Sequence, residues 1–249
     1  MEVSRRFFRK YYPDNRKSGT IFFYKMIRHE IKQGDLILNL GAGPGDSLSD
    51  EDFQIRDVRG NGWTILGCDP DLLVLSNIQI NESKMMINPD IIPYESGYFD
   101  LIYSDYVLEH VREPNVFLKE VYRVLKPGKK FFFRTPNIHH YVTLGSILIT
   151  NCLIANCFQK KMVSKAKEFG WNDFSSYPKY YRINSRKVLE KMASKIGFRN
   201  IKIVMFEGEP SYLLFNQIAF LIGVGYERIV NRFKGFDFLR ANLIGFMVK

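Results

Sequence analysis

The sequence predicts an α/β fold around a mostly parallel sheet, and three observations carry that expectation. Short apolar runs recur at strand length and close on glycine, aspartate or proline. An amphipathic helical stretch lies between two of these runs, and another precedes the last two. No internal repeat or low-complexity tract breaks the alternation. The chain has 249 residues, the size of one large domain or of a core with added segments. Its 46% hydrophobic content supplies a core, and 25% charged residues exclude a disordered chain.

Residues 35–41 (DLILNLG) form the first expected strand, an apolar run ending in glycines. Trp63–Cys68 is the second, closed by Asp69-Pro70-Asp71, and Phe99–Ser104 the third. Lys130–Thr135 is the fourth, entered through the turn Lys126-Pro127-Gly128 and left at Pro136. Between the third and fourth, Val116, Phe117, Glu120, Val121, Val124 and Leu125 keep helical spacing behind Pro114, which suits a first helical turn. The pattern lapses after Pro136 and resumes with a helix over Asn184–Ile196, with Asn184 or Ser185 as its N-cap and Gly197 at its stop. Ile201–Phe206 and Ala241–Val248 are the remaining strands. The expected layout is a single domain with a core over about 34–135, 184–210 and 240–249. Residues 1–33, 136–183 and 211–239 are additions to it.

The formal charge of +10 divides unevenly: +6 over residues 1–33, −10 over 34–125 and +14 over 126–249. An acidic middle suits a cationic ligand and basic flanks suit an anionic partner, although solvated surface charge accounts for the same division. Three cysteines without a C-x-x-C pair argue against a disulfide scaffold or a cysteine zinc cluster. The basic first residues lack the apolar stretch of a signal peptide, so the cytoplasm is the expected compartment. Val142–Phe158 and Tyr212–Gly225 are apolar yet shorter than a membrane span, and each reads as a buried or interfacial helix. Peripheral contact with the inner face of a membrane is therefore one expectation.

The sharpest motif is Asn39-Leu40-Gly41-Ala42-Gly43-Pro44-Gly45, directly after the first strand. Glycines at 41, 43 and 45 allow a tight turn and a close approach to a ligand. A dinucleotide fingerprint would need its third glycine at Asp46, a poor neighbour for a pyrophosphate, and no Gly-Lys-Ser/Thr follows for a phosphate loop. The loop therefore fits a nucleoside without a phosphate chain. Asp69, at the end of the second strand, can accept both hydroxyls of a ribose lying across the strand ends.

With LGCDPD (66–71), IPYESGYFDLIYSDYVLEHV (92–111) and VLKPGKKFFFRTPN (124–137), the segment LNLGAGPG (38–45) makes the chain resemble a class I S-adenosylmethionine-dependent methyltransferase. TPNIHHYVTL (135–144), YPKYYRINS (177–185) and YERIVNR (226–232) are similar to a bacterial methyltransferase-11/23-like branch of that family. The resemblance implies a Rossmann-like sheet of seven mostly parallel strands, the last antiparallel, and S-adenosyl-L-methionine as cofactor. It implies that Gly41, Ala42, Gly43 and Gly45 pass under the methionine part and that Asp69, with Pro70, meets the ribose. Asn39 stands where the family usually has an acid and would act through water. Asn88, or alternatively Asp90, would read the adenine amino group, and Asp105 and Tyr106 would line the far side.

Methyl transfer needs nucleophile, methyl and sulfur in line, and a hydroxyl nucleophile also needs a proton acceptor. His110 and His140 are the candidates. His110 reads first as a packing or capping residue, second as a general base, and last as part of a metal site with Glu109 and one of His139 and His140. His140 reads as facing the acceptor or, with His139, as a surface pair. Tyr11-Tyr12-Pro13-Asp14 suits a lid, and Tyr180-Tyr181-Arg182 and Arg228 suit an anionic or hydroxylated acceptor. The implied acceptor is a small molecule, a saccharide or a lipid-linked compound. RNA methylation is an alternative that the basic flanks allow, and a non-catalytic cofactor-binding partner subunit is another. No metal spacing stands out, and a nicotinamide dehydrogenase is the least favoured reading because Asp46 occupies the third glycine's place.

Overall fold

The computed structural model describes residues 2–12, 18–46, 53–150, 177–214 and 216–249. Helices α1 (Glu2–Tyr11) and α2 (Gly19–Glu30) precede β1 (Leu36–Leu40), followed by α3 (Phe53–Arg56), β2 (Thr64–Asp69), β3 (Glu82–Met85) and β4 (Phe99–Asp105). Helix α4 (Pro114–Val124) leads into β5 (Leu125–Pro136) and α5 (Tyr141–Thr150). The described chain ends with α6 (Arg186–Ile196), β6 (Arg199–Phe206), α7 (Gln217–Arg232) and β7 (Asn242–Val248).

The seven strands form one sheet in the order β3-β2-β1-β4-β5-β7-β6. Strands β1 to β5 pair in parallel, and β7 runs antiparallel to both β5 and β6. Inserting the reversed β7 between β5 and β6 gives the Rossmann-like methyltransferase sheet that the resemblance implied. Strand β3 (ESKM) lacks the apolar run that marks the others, because it is an exposed edge strand paired on one side only.

Side chains alternate across the sheet and divide the core in two. Phe131 and Phe133 of β5 point into one layer with Leu118 and Val121 of α4 and Leu189 and Ala193 of α6. Phe132 points to the other face, where Phe23, Tyr24 and Ile27 of α2 pack on Ile37, Ile65 and Tyr103. Gly197 ends α6 in the left-handed conformation, and Ser185 occupies the N-cap position.

The expected helix over Tyr212–Gly225 is divided. Ser211–Leu213 is a 3₁₀ turn, and α7 starts only at Gln217, where Asn216 Oδ1 accepts from the backbone N–H groups of Ile218 and Ala219 at 2.9 and 3.0 Å. Of Val142–Phe158, the part from 151 onward lies outside the described residues, as do Pro13 and Asp14. Among the described residues, no helix is long and apolar enough to cross a membrane.

Candidate active site

The loop after β1 holds Gly41, Gly43 and Gly45 at φ of 78°, 51° and 73°, a region where any side chain is strained. The N–H groups of Gly41 and Ala42 donate to the Cys68 carbonyl at 2.8 and 3.2 Å and tie the loop to β2. A Cβ on Gly41 would stand 2.3 Å from Val107 Cγ2, and one on Gly45 would stand 2.4 Å from Asn77 Oδ1. A Cβ on Gly43 would meet nothing within 4 Å. The loop is thus packed from below and open at Gly43. Asn77, a residue without a motif of its own, supports it by donating to the carbonyls of Ala42 and Gly43 at 2.9 and 3.2 Å.

Asp69 lies against the same loop. Its Oδ2 accepts from Gly43 N–H at 2.9 Å and its Oδ1 from Asp71 N–H at 2.8 Å, while partial burial raises its proton affinity. Each oxygen keeps a further lone pair for a ligand hydroxyl. An open glycine turn beside an oriented carboxylate with spare acceptor capacity suits a hydroxylated ligand such as a nucleoside.

The other expected cofactor residues are placed as follows. Asn39 is half-buried within β1, in register with Gly67 and Tyr103. Pro70, Asn88 and Asp90 are exposed, and Asn88 Oδ1 accepts from Asp90 N–H at 2.9 Å in a local turn. Asp105 receives Arg134 through two 2.6 Å bonds and the Tyr24 hydroxyl at 3.1 Å. Tyr106 sits at φ 57° with the Arg134 guanidinium 4.6 Å over its ring, and its hydroxyl donates to Asn242 Oδ1 at 3.0 Å.

His110 ends the 3₁₀ turn Leu108–His110, with Nδ1 3.0 Å from the Pro178 carbonyl oxygen and the ring edge-on to Tyr177. The Tyr177 hydroxyl donates to Asp71 Oδ2 at 2.7 Å, so this chain segment is laid across the Asp69–Asp71 corner. Burial lowers the proton affinity of His110, and the bond to the Pro178 carbonyl, with a smaller part from the Asp69 charge, partly restores it. Glu109, in contrast, turns inward to accept from Thr135 Oγ1 at 3.1 Å, and burial pushes its carboxyl up to about 7. Glu109 and His110 therefore diverge. Among the described residues, no group of three or more His, Cys, Asp or Glu is arranged to hold a metal ion.

A cavity of about 280 Å³ opens at the same edge of the sheet, beyond the ends of β4, β5 and β6 and the start of β7. Tyr106, Arg134, His140, Glu207, Glu209 and Tyr212 give it its chemistry. The two adjacent histidines part company here: His139 is exposed, whereas His140 is 3% exposed and lines the cavity. His140 Nε2 lies 3.6 Å from Glu207 Oε2 and makes no hydrogen bond among the described residues. Glu207 is itself buried, its Oε2 held by Ala241 N–H at 2.8 Å. The rings of Tyr141, Tyr212 and Tyr226 surround His140, and the hydroxyls of Tyr141 and Tyr212 are hydrogen-bonded to each other. Burial raises the Tyr212 phenol well above its ordinary range.

The basic and aromatic residues expected near the acceptor lie away from this cavity. Tyr180, Tyr181, Arg182 and Arg228 do not line it. Arg182 donates to the Arg112 carbonyl at 2.7 Å and reaches Glu113 at 3.3 Å, Tyr181 is buried, and Arg228 is exposed on α7. Tyr12 donates to Glu227 at 3.2 Å. The acids Glu207 and Glu209 supply the lining charge, because Arg134 is engaged by Asp105. They lie in a stretch dominated by lysine and arginine, where two carboxylates one residue apart at a strand end were the available signal.

Residues 20–203 match the family model described as "Methyltransferase domain". The chain is similar to the ubiquinone/menaquinone biosynthesis C-methyltransferase UbiE of Vibrio campbellii, at 26% identity over 191 residues, 71% of this chain and 69% of that one. Its fold is similar to that of an S-adenosylmethionine-dependent methyltransferase from Archaeoglobus fulgidus, with a TM-score of 0.55, 14% identity and coverage of 97% of this chain and 98% of that one. It is also similar to the Haemonchus contortus phosphoethanolamine N-methyltransferase 2 solved with S-adenosylhomocysteine (TM-score 0.52, 18% identity, 92% of this chain), spanning about half of that longer chain (52%).

Proposed function

Because this chain belongs to the methyltransferase domain family and is an S-adenosylmethionine-dependent methyltransferase, we propose that it methylates a small hydroxylated acceptor held in the 280 Å³ cavity. The observation that carries this reading is His140, buried in the wall with its Nε2 unbonded among the described residues and 3.6 Å from Glu207. S-adenosylmethionine supplies a methyl group on a sulfonium sulfur, which leaves as a neutral thioether. The acidic middle of the chain, at −10, complements that cation.

His140 accepts the hydroxyl proton, and Glu207 balances the imidazolium charge that results. On a hydroxylated ring this deprotonation makes both the oxygen and the adjacent ring carbon nucleophilic. The same pair therefore suits O- and C-methylation, in keeping with the quinone-biosynthesis name of the Vibrio relative. The rings of Tyr106 and Tyr212 offer stacking faces, and the acidic lining speaks against a polyanionic acceptor such as RNA.

The test is transfer of label from methyl-labelled S-adenosylmethionine to a panel of phenols and hydroquinones, with saccharides and mixed RNA alongside. The expected outcome is a labelled ring compound, with kcat lowered about 10²–10⁴-fold in Glu207→Gln and in His140→Ala. Cofactor affinity stays that of the wild type. Wild-type turnover in both variants, or label in RNA alone, contradicts the reading.

A further inference from the structure

Helix α7 is apolar on the side where a surface helix is ordinarily polar. Its inward face is Phe220, Gly223, Val224, Glu227 and Val230. Opposite them, at 100° per residue, fall Ile218, Ile222 and Ile229, with Gly225 between. Ile218 is 70% exposed and Ile222 68%, and Leu221 and Ile229 are exposed beside them. The stripe runs about 16 Å along the helix, at 1.5 Å per residue. It continues through exposed Phe233, Phe236 and Phe238 at the 3₁₀ segment Lys234–Leu239.

Among the described residues, the exposed charges along this stripe are mainly cationic. Arg228, Arg232 and Lys234 are exposed. Glu227 turns inward to Tyr12 and Asn231, and Asp237 faces Arg186 at 3.4 Å. The helix also backs the cavity: Pro210 and Leu213 pack so closely on Gly223 that a Cβ there would lie 2.7 Å from each, and Tyr212 between them lines the cavity.

We propose that α7 and the following 3₁₀ segment lie flat on an anionic lipid surface. The isoleucines and phenylalanines enter the acyl boundary, and Arg228, Arg232 and Lys234 meet headgroup phosphates. A protein partner or a second copy would also cover isoleucines. A border of three exposed cations, with the nearby carboxylate of Asp237 paired to Arg186, matches a uniformly negative sheet of headgroups. Docking in this way puts α7 between the lipid and the Ser211–Leu213 turn that walls the cavity, and it goes beyond the methyl-transfer reading without depending on it.

Flotation of the full chain with vesicles tests this directly, comparing phosphatidylcholine alone with phosphatidylcholine and phosphatidylglycerol in equal parts. The wild type floats with the anionic vesicles, less with the neutral ones, and less again as salt is raised. Combined Ile218→Ser, Ile222→Ser and Ile229→Ser lowers the bound fraction roughly tenfold, and Arg228→Gln with Arg232→Gln removes the preference for phosphatidylglycerol. Ile222→Trp, which keeps the stripe apolar, shows a blue-shifted emission when anionic vesicles are added. Absence of wild-type flotation, equal flotation of the triple serine variant, or an unshifted Ile222→Trp emission overturns the proposal. So does sedimentation showing a dimer that the serine variant loses while vesicles remain unbound.

Discussion

Asp69 and Asp105 each close a strand of the same sheet, yet their partners give them different work. Asp105 is held by the Arg134 guanidinium, which is 2% exposed and also donates to Thr20 Oγ1 at 2.7 Å. Arg134→Ala takes the bidentate guanidinium from that carboxylate and costs about 3–5 kcal/mol, measurable by urea unfolding; an unchanged midpoint contradicts this. Asp69 is held by backbone N–H groups alone and keeps acceptor capacity. Asp69→Ala weakens S-adenosylmethionine binding by about 1.5–3 kcal/mol in calorimetry, with circular dichroism unchanged. Asp69 was legible because strand, turn and carboxylate are contiguous in the sequence. Glu207 was not, because only the pairing of β6 with β7 and of β7 with β5 brings it to His140.

The glycine loop separates folding from binding at the level of an element. Gly41→Ala places a methyl 2.3 Å from Val107 Cγ2 at φ 78°, whereas Gly43→Ala meets open space at φ 51°. Both pay about 1–2 kcal/mol for the left-handed backbone. Gly41→Ala loses more stability through the clash, and Gly43→Ala loses more cofactor affinity than stability, because its methyl faces the open side of the loop. Denaturation and titration of the two variants check the contrast, and equal losses in both assays would refute it. Elsewhere, the apolar strands were readable from their periodicity. Edge strand β3 was not, since exposure removes the pattern, and the start of α7 was set by the Asn216 cap instead of by hydropathy.

Across the whole molecule, the part of the candidate site proposed from sequence is the part built from adjacent motifs, Gly41–Gly45, Asp69 and the end of β4. The cavity draws on α2 and the ends of β5, β6 and β7, a convergence that follows from sheet order and not from spacing. Stability should carry the mark of buried Glu109. Its carboxyl ordinarily titrates near 4.5 and is pushed up to about 7, so between these values the folded chain holds a proton that the unfolded chain releases. Stability from this group therefore falls as pH rises through that window, by roughly 3 kcal/mol in all, and Glu109→Gln removes the dependence. His110, lowered by burial, works in the opposite direction, so the difference between wild type and Glu109→Gln in urea unfolding at about pH 5 and about pH 8 isolates Glu109. The most direct measurement is calorimetric titration of wild type, Asp69→Ala and Glu207→Gln with S-adenosylmethionine. A cofactor site at the glycine loop and a separate acceptor cavity predict that wild type and Glu207→Gln bind alike while Asp69→Ala binds roughly tenfold more weakly or worse. Equal loss of affinity in Glu207→Gln, or undiminished binding in Asp69→Ala, would contradict that division.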